Sequence, residues 1–90
     1  MKKPSRVKIL GQWIEIQHVD LSPEKEDAEI LYGDSDLRAR LIRIDINLDG
    51  AAFKRILNHE MYHMKLGISG LAETMPDNLE EALCILAETP

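Results

Sequence analysis

Two hydrophobic periods meet just before Gly50, and together they restrict this chain to a small mixed fold. From Leu41 to Asn47 the residues alternate, with Ile42, Ile44 and Ile46 set against Arg43, Asp45 and Asn47. That is the period of a strand with one covered face. Beyond it Ala52, Phe53, Ile56, Leu57, Met61 and Met64 fall on one arc at about 100° per residue, the period of a helix laid on a core. The helix is expected from about Gly50 to Leu66, with Asp49 or Asn47 as its cap and Gly67 as a left-handed stop.

The rest of the chain reads around that pair. Val7 to Val19 alternates well after Gly11 and is either one bent strand or a strand pair broken at Gly11, with His18 expected on its surface. Asp20 to Asp27 reads as an acidic loop, Ala28 to Tyr32 as a short strand, and Gly33-Asp34-Ser35-Asp36 as a turn. The strands flanking that turn should pair as a hairpin. A last helix from Asp77 to about Glu88 carries an apolar stripe of Leu79, Ala82, Leu83 and Leu86. The expectation is one α+β domain over residues 1–90, with a small three-stranded, mostly antiparallel sheet followed by two helices. Ninety residues limit the core, so a bound metal would contribute appreciably to folding.

Composition excludes several classes of ligand. A net charge of −5 disfavours nucleic acid, and Lys2, Lys3 and Arg6 are too few to reverse it. No apolar run approaches the length of a membrane span. The basic start lacks a continuous apolar segment and a cleavage site, and the single cysteine, Cys84, agrees with a reducing compartment, so a cytoplasmic location is expected.

Within the expected helix stands His59-Glu60-Met61-Tyr62-His63, an HExxH sequence. Residues four apart share a helix face, so both imidazoles can bind one metal ion. Glu60 projects beside that ion, where a carboxylate can take the proton of an activated water. With three His and nine Glu in the chain, a shuffled sequence would show the pattern about one time in a hundred. Helical phase adds weight. Glu60 falls near the centre of the apolar arc between Phe53, Ile56, Leu57 and Met64, where an unpaired carboxylate is costly and calls for a function. Zn2+ is the expected cofactor.

Catalytic zinc generally takes three protein ligands. A third histidine six residues after His63 is missing, since that position is Ser69, and a glutamate from the last helix remains. Glu80 lies about 100° from the apolar stripe, beside Leu83, Cys84 and Ala87. Glu81 lies nearly opposite the stripe and shares its face with Glu88. Glu80 is the preferred ligand, Glu81 and Glu73 are the alternatives, and Glu80 also has the spacing to form a capping box with Asp77.

From His59 to Glu88, together with the strand Arg40 to Asp45, the chain resembles the small gluzincin-type (HExxH…E) metallopeptidases, notably the ImmA/IrrE-like and phage-encoded ones. The resemblance implies a minimal zincin-like fold with metal on His59, His63 and Glu80, general-base catalysis by Glu60, and a protein or peptide substrate held along a sheet edge near Gly33 to Asp45. Thermolysin-like enzymes place an aspartate four residues after the glutamate ligand to steady a histidine. Here that residue is Cys84, so the histidines need support from elsewhere, such as Asn58 or a backbone carbonyl. Only ten residues follow Glu80, which leaves no lower subdomain to wall a cleft. Tyr62 lies on the far side of its helix from Glu60 and reads as packing or surface. An oligomer or a completing partner chain, or a catalytically silent zinc-stabilised binding module, is the other expectation.

Overall fold

A computed structural model of the chain describes residues 4–21 and 32–88. The elements run β1 (Arg6–Ile9), β2 (Gln12–Val19), β3 (Gly33–Asp36), β4 (Leu41–Asp45), α1 (Gly50–Ser69), a 3₁₀ turn (Leu71–Thr74) and α2 (Asp77–Leu86). The architecture is α+β. The expected three-stranded, mostly antiparallel sheet is corrected to one that is four-stranded and mixed among the described residues, in the order β1-β2-β4-β3. β1 pairs with β2 and β3 with β4 antiparallel, while β2 and β4 are parallel. Period-two patterns locate strands but carry no information on pairing direction.

Position in the sheet explains the pattern of β4. Flanked on both sides, it buries Ile42 and Ile44 completely, and with Ile9, Ile14, Ile16, Phe53 and Met64 they make the core. Each such isoleucine contributes about 1.5–3 kcal/mol relative to exposure. Ile46 breaks the expected series and is half exposed, because β4 ends at Asp45. There the Asp45 carboxylate accepts hydrogen bonds from the Asn47 amide at 3.1 Å and from its side chain at 2.9 Å, turning the chain.

The polar stretch Gly33–Asp36, expected as a turn, is the strand β3. Its composition reads as a turn, but its register makes each residue fit a strand. Asp34 lies opposite Arg43 and forms a bidentate ion pair with it, while Gly33 and Ser35 lie opposite Ile44 and Ile42 on the side that faces α1. The hairpin turn is Leu37–Arg40, where the Asp36 carboxylate accepts from the Ala39 amide at 3.0 Å. Of the expected strand at 28–32, residues 28–31 lie outside the described residues. Tyr32 carries the pairing one step further, its carbonyl accepting from the Asp45 amide at 2.8 Å. Most of the expected acidic loop, 22–27, also lies outside them.

α1 extends two residues past its expected stop and ends at Gly70, which takes the left-handed conformation with φ 84°. Gly67 serves packing instead. A Cβ there would stand 3.0 Å from both methyl groups of Leu37. Gly33 serves the same purpose under the sheet, since a Cβ on it would come within 2.9 Å of Ile56 Cγ2 and 3.1 Å of the Arg43 carbonyl. Asp49 occupies the position before α1 without a side-chain cap. His18, expected on the surface, is half buried, with Nε2 donating to the Pro4 carbonyl at 2.7 Å and its ring stacked on Phe53.

α2 is the least conventional element. Leu79 and Leu86 of its apolar stripe face solvent, as does Ile85, and Cys84 is its only buried residue. The opposite, acidic face is turned to α1.

The β1–β2 hairpin turns on Leu10 and Gly11, both with positive φ, at 49° and 82°. Leucine there strains the backbone by about 1 kcal/mol, whereas asparagine tolerates the conformation. Leu10→Asn should therefore raise Tm by roughly 4–8 °C for a domain of this size. An unchanged or lower melting point in a thermal scan would contradict the turn assignment. Gly33→Ala should lower Tm, because the added methyl forces α1 away from β3.

Candidate metal centre

α1 presents His59, Glu60 and His63 in two directions. Glu60 points under the sheet and is 8 % exposed. An ideal Cβ on Gly33 would stand 3.4 Å from its Cγ, so the missing side chain of Gly33 makes room for this carboxylate. Burial raises its pKa above the ordinary carboxylate range, and Asp34 adds to the rise. The imidazoles of His63 and His59 and a hydrogen bond from Ser35 oppose it. The expectation that Glu60 is buried in the apolar arc is met.

His59 and His63 point toward α2, one turn apart, with ring centroids 4.9 Å from each other. Their Nε2 atoms are 3.2 Å apart. The Glu81 carboxylate closes on both, with Oε1 2.9 Å from His59 Nε2 and Oε2 3.3 Å from His63 Nε2. The other nitrogens have carboxylates of their own. Glu88 Oε2 is 2.7 Å from His59 Nδ1, and Glu80 Oε2 is 2.6 Å from His63 Nδ1. Arg55 Nε stands 3.7 Å from the second oxygen of Glu88.

The bonding capacity of these groups shows what the cluster can do. An ionised carboxylate only accepts, so each Nδ1 must carry a proton to meet Glu80 or Glu88. A neutral imidazole has one such proton, which leaves the two Nε2 lone pairs and the Glu81 carboxylate facing each other. These acceptors are satisfied either by protons on Nε2 or by a metal cation held between them. His59, His63 and Glu81 stand close enough to hold a metal ion, with one donor atom from each within 4.8 Å of the others. Two imidazoles and a carboxylate suit a divalent transition metal.

The preferred ligand from the sequence, Glu80, is not part of this trio and lies against the outer nitrogen of His63 instead. The alternative, Glu81, is the carboxylate brought to the Nε2 atoms. The capping box that the spacing of Asp77 and Glu80 allowed is absent, for Pro76 holds the N-cap of α2 with no side-chain bond. Glu73 is exposed on the 3₁₀ turn, outside the trio. Tyr62 is half buried. Support for the histidines comes from Glu80 and Glu88, not from Asn58. Glu88 went unassigned in the sequence although its spacing from Glu81, seven residues or two helical turns, carried the signal.

The site also has an edge. The bond from the Asp45 amide to the Tyr32 carbonyl makes that pair a hydrogen-bonded one, so with alternation Asp34 and Asp36 also bond to β4. The main-chain groups of Gly33 and Ser35 then point away from β4. A concavity of about 520 Å³ opens beside this strand, walled by Asp34, Ser35 and Asp36 and by Leu41 and Arg43. Ser35 thus touches both the edge and Glu60, a link no sequence pattern announces.

Comparison of the chain with protein-family models, curated proteins and solved structures finds no match. No helix among the described residues is long and apolar enough to cross a membrane.

Cys84 lies fully buried behind the carboxylates. Burial, with Glu81, Glu80 and Glu60 nearby, pushes its thiol up to about 12. Since the thiolate is the reactive form, a thiol reagent at about pH 8 should label Cys84 only after denaturation. Rapid labelling of the folded protein would contradict its placement.

Proposed function

We propose that this chain is a zinc-dependent peptidase, with zinc held by His59, His63 and Glu81 and with Glu60 as general base. The observation that carries the reading is the buried Glu60 carboxylate beside two imidazoles whose Nε2 atoms meet at a second carboxylate, Glu81. Zinc bonds nitrogen and oxygen at about 2.0–2.2 Å, so tetrahedral donors stand about 3.3 Å apart. The two Nε2 atoms stand 3.2 Å apart, close to that edge length, and each lies near a different oxygen of Glu81, at 2.9 Å for Oε1 and 3.3 Å for Oε2.

Bound zinc supplies Lewis acidity, lowering the pKa of water and polarising a carbonyl oxygen. Glu60 takes the proton of the attacking water and returns it to the departing amine as the peptide bond breaks. Burial, which raises the pKa of Glu60 in the metal-free protein, strengthens it as a base. The substrate is an extended peptide added to the outer edge of β3, bonded to the main chain of Gly33 and Ser35, with side chains over the neighbouring concavity.

Glu60→Gln should reduce cleavage of a peptide library by the zinc-loaded protein about 100-fold or more, with close to one zinc retained. Undiminished cleavage would contradict the assigned base. A second reading is favoured by the outward apolar stripe of α2: a zinc-stabilised regulatory or binding module that turns nothing over. In that case removal of zinc by a chelator lowers Tm while no peptide is cut by the loaded form.

A further inference from the structure

We propose that Glu80 and Glu88 are positioning residues which fix both histidine rings with Nδ1–H outward and Nε2 toward Glu81, a role that rests on the metal reading above. Each imidazole meets a different carboxylate on each nitrogen. His63 lies between Glu80 at 2.6 Å and Glu81 at 3.3 Å, and His59 between Glu88 at 2.7 Å and Glu81 at 2.9 Å. Which nitrogen of a histidine carries the proton is set by the hydrogen bond its partner nitrogen makes. Glu80 and Glu88 accept from Nδ1, and this leaves both Nε2 lone pairs on the side of Glu81.

The backbone explains the division of labour. Glu88, just past the end of α2 and seven residues from Glu81, reaches the same histidine face, while Glu80 is rotated by about 100° from Glu81 and lies against the outer nitrogen of His63. Glu88 follows the last residue of α2, Leu86, and Arg55 of α1 approaches its second oxygen. The short segment after α2 is therefore part of the metal centre. The supporting carboxylates also raise ligand basicity, and loss of such partners lowers metal affinity by about 10- to 100-fold in zinc proteins.

The test uses the full chain and two measurements. Zinc affinity is measured by chelator competition for the parent, Glu80→Ala, Glu88→Ala, the milder Glu80→Gln and Glu88→Gln, and the surface control Glu73→Gln. Nitrogen chemical shifts of the His59 and His63 rings in the metal-free protein, taken well above the ordinary imidazole titration range, report the tautomers directly. The expected result is a loss of affinity of about 10- to 100-fold for each alanine variant, less for each glutamine variant and none for Glu73→Gln. In the parent both rings carry the proton on Nδ1, and each alanine variant moves it in the ring it supports. A parent that binds zinc tightly while the alanine variants shift affinity less than twofold overturns the positioning role and leaves the metal reading standing. A parent with Nδ1–H rings under the control of Glu80 and Glu88, but with no zinc affinity, supports the positioning role and overturns the metal reading. Parent rings protonated at Nε2 overturn the positioning role whatever the affinity.

Discussion

The contact between the histidine face of α1 and the carboxylate face of α2 is the constraint on which the rest of the molecule depends. α2 buries one residue, Cys84, and turns Leu79, Ile85 and Leu86 to solvent. So small an apolar contact gives little reason for a helix to dock with its stripe outward. The reason lies in Glu80, Glu81 and Glu88, whose carboxylates together approach all four ring nitrogens of His59 and His63. With neutral rings these contacts leave acceptors facing one another at Nε2, and a bound cation makes them a closed set. On this account the ion is a structural member of a small domain as well as its chemistry, as expected where the core alone is limited.

The sheet does the complementary work. β4 in the centre anchors α1 through Ile42 and Ile44, and the missing side chain of Gly33 lets the same helix press against the edge strand. That approach buries Glu60 under Ser35 while leaving the histidines, on the adjacent face of the helix, free for α2. One helix thus presents Glu60 to the strand and His59 and His63 to the second helix. The separation follows from the 100° between consecutive residues His59 and Glu60.

Much of this was legible in the sequence where a pattern answers to one local force. The alternation in β4, the periodicity of α1 and the placement of Glu60 on its apolar arc were readable because burial decides each of them. Elsewhere the deciding force is a tertiary partner. Gly33–Asp36 has the composition of a turn and becomes a strand because Arg43 pairs with Asp34 and α1 needs a residue without a Cβ. Gly67 resembles a helix stop and is a packing notch for Leu37. Glu80 was preferred over Glu81 by measuring helical phase from the apolar stripe, on the premise that the stripe faces inward. The stripe faces outward, so Glu81, nearly opposite it, meets the imidazoles. The same inversion hid Glu88, whose shared face with Glu81 was visible but had no role to fill.

The central claim is that one metal ion joins the two helices through the Nε2 atoms of His59 and His63 and the carboxylate of Glu81. Anomalous scattering at the zinc absorption edge, from crystals of protein purified without added metal, tests it most directly. The account predicts a single peak at about 2.0–2.2 Å from those three side chains. A peak bonded to Glu80 in place of Glu81, or none at all, would contradict it.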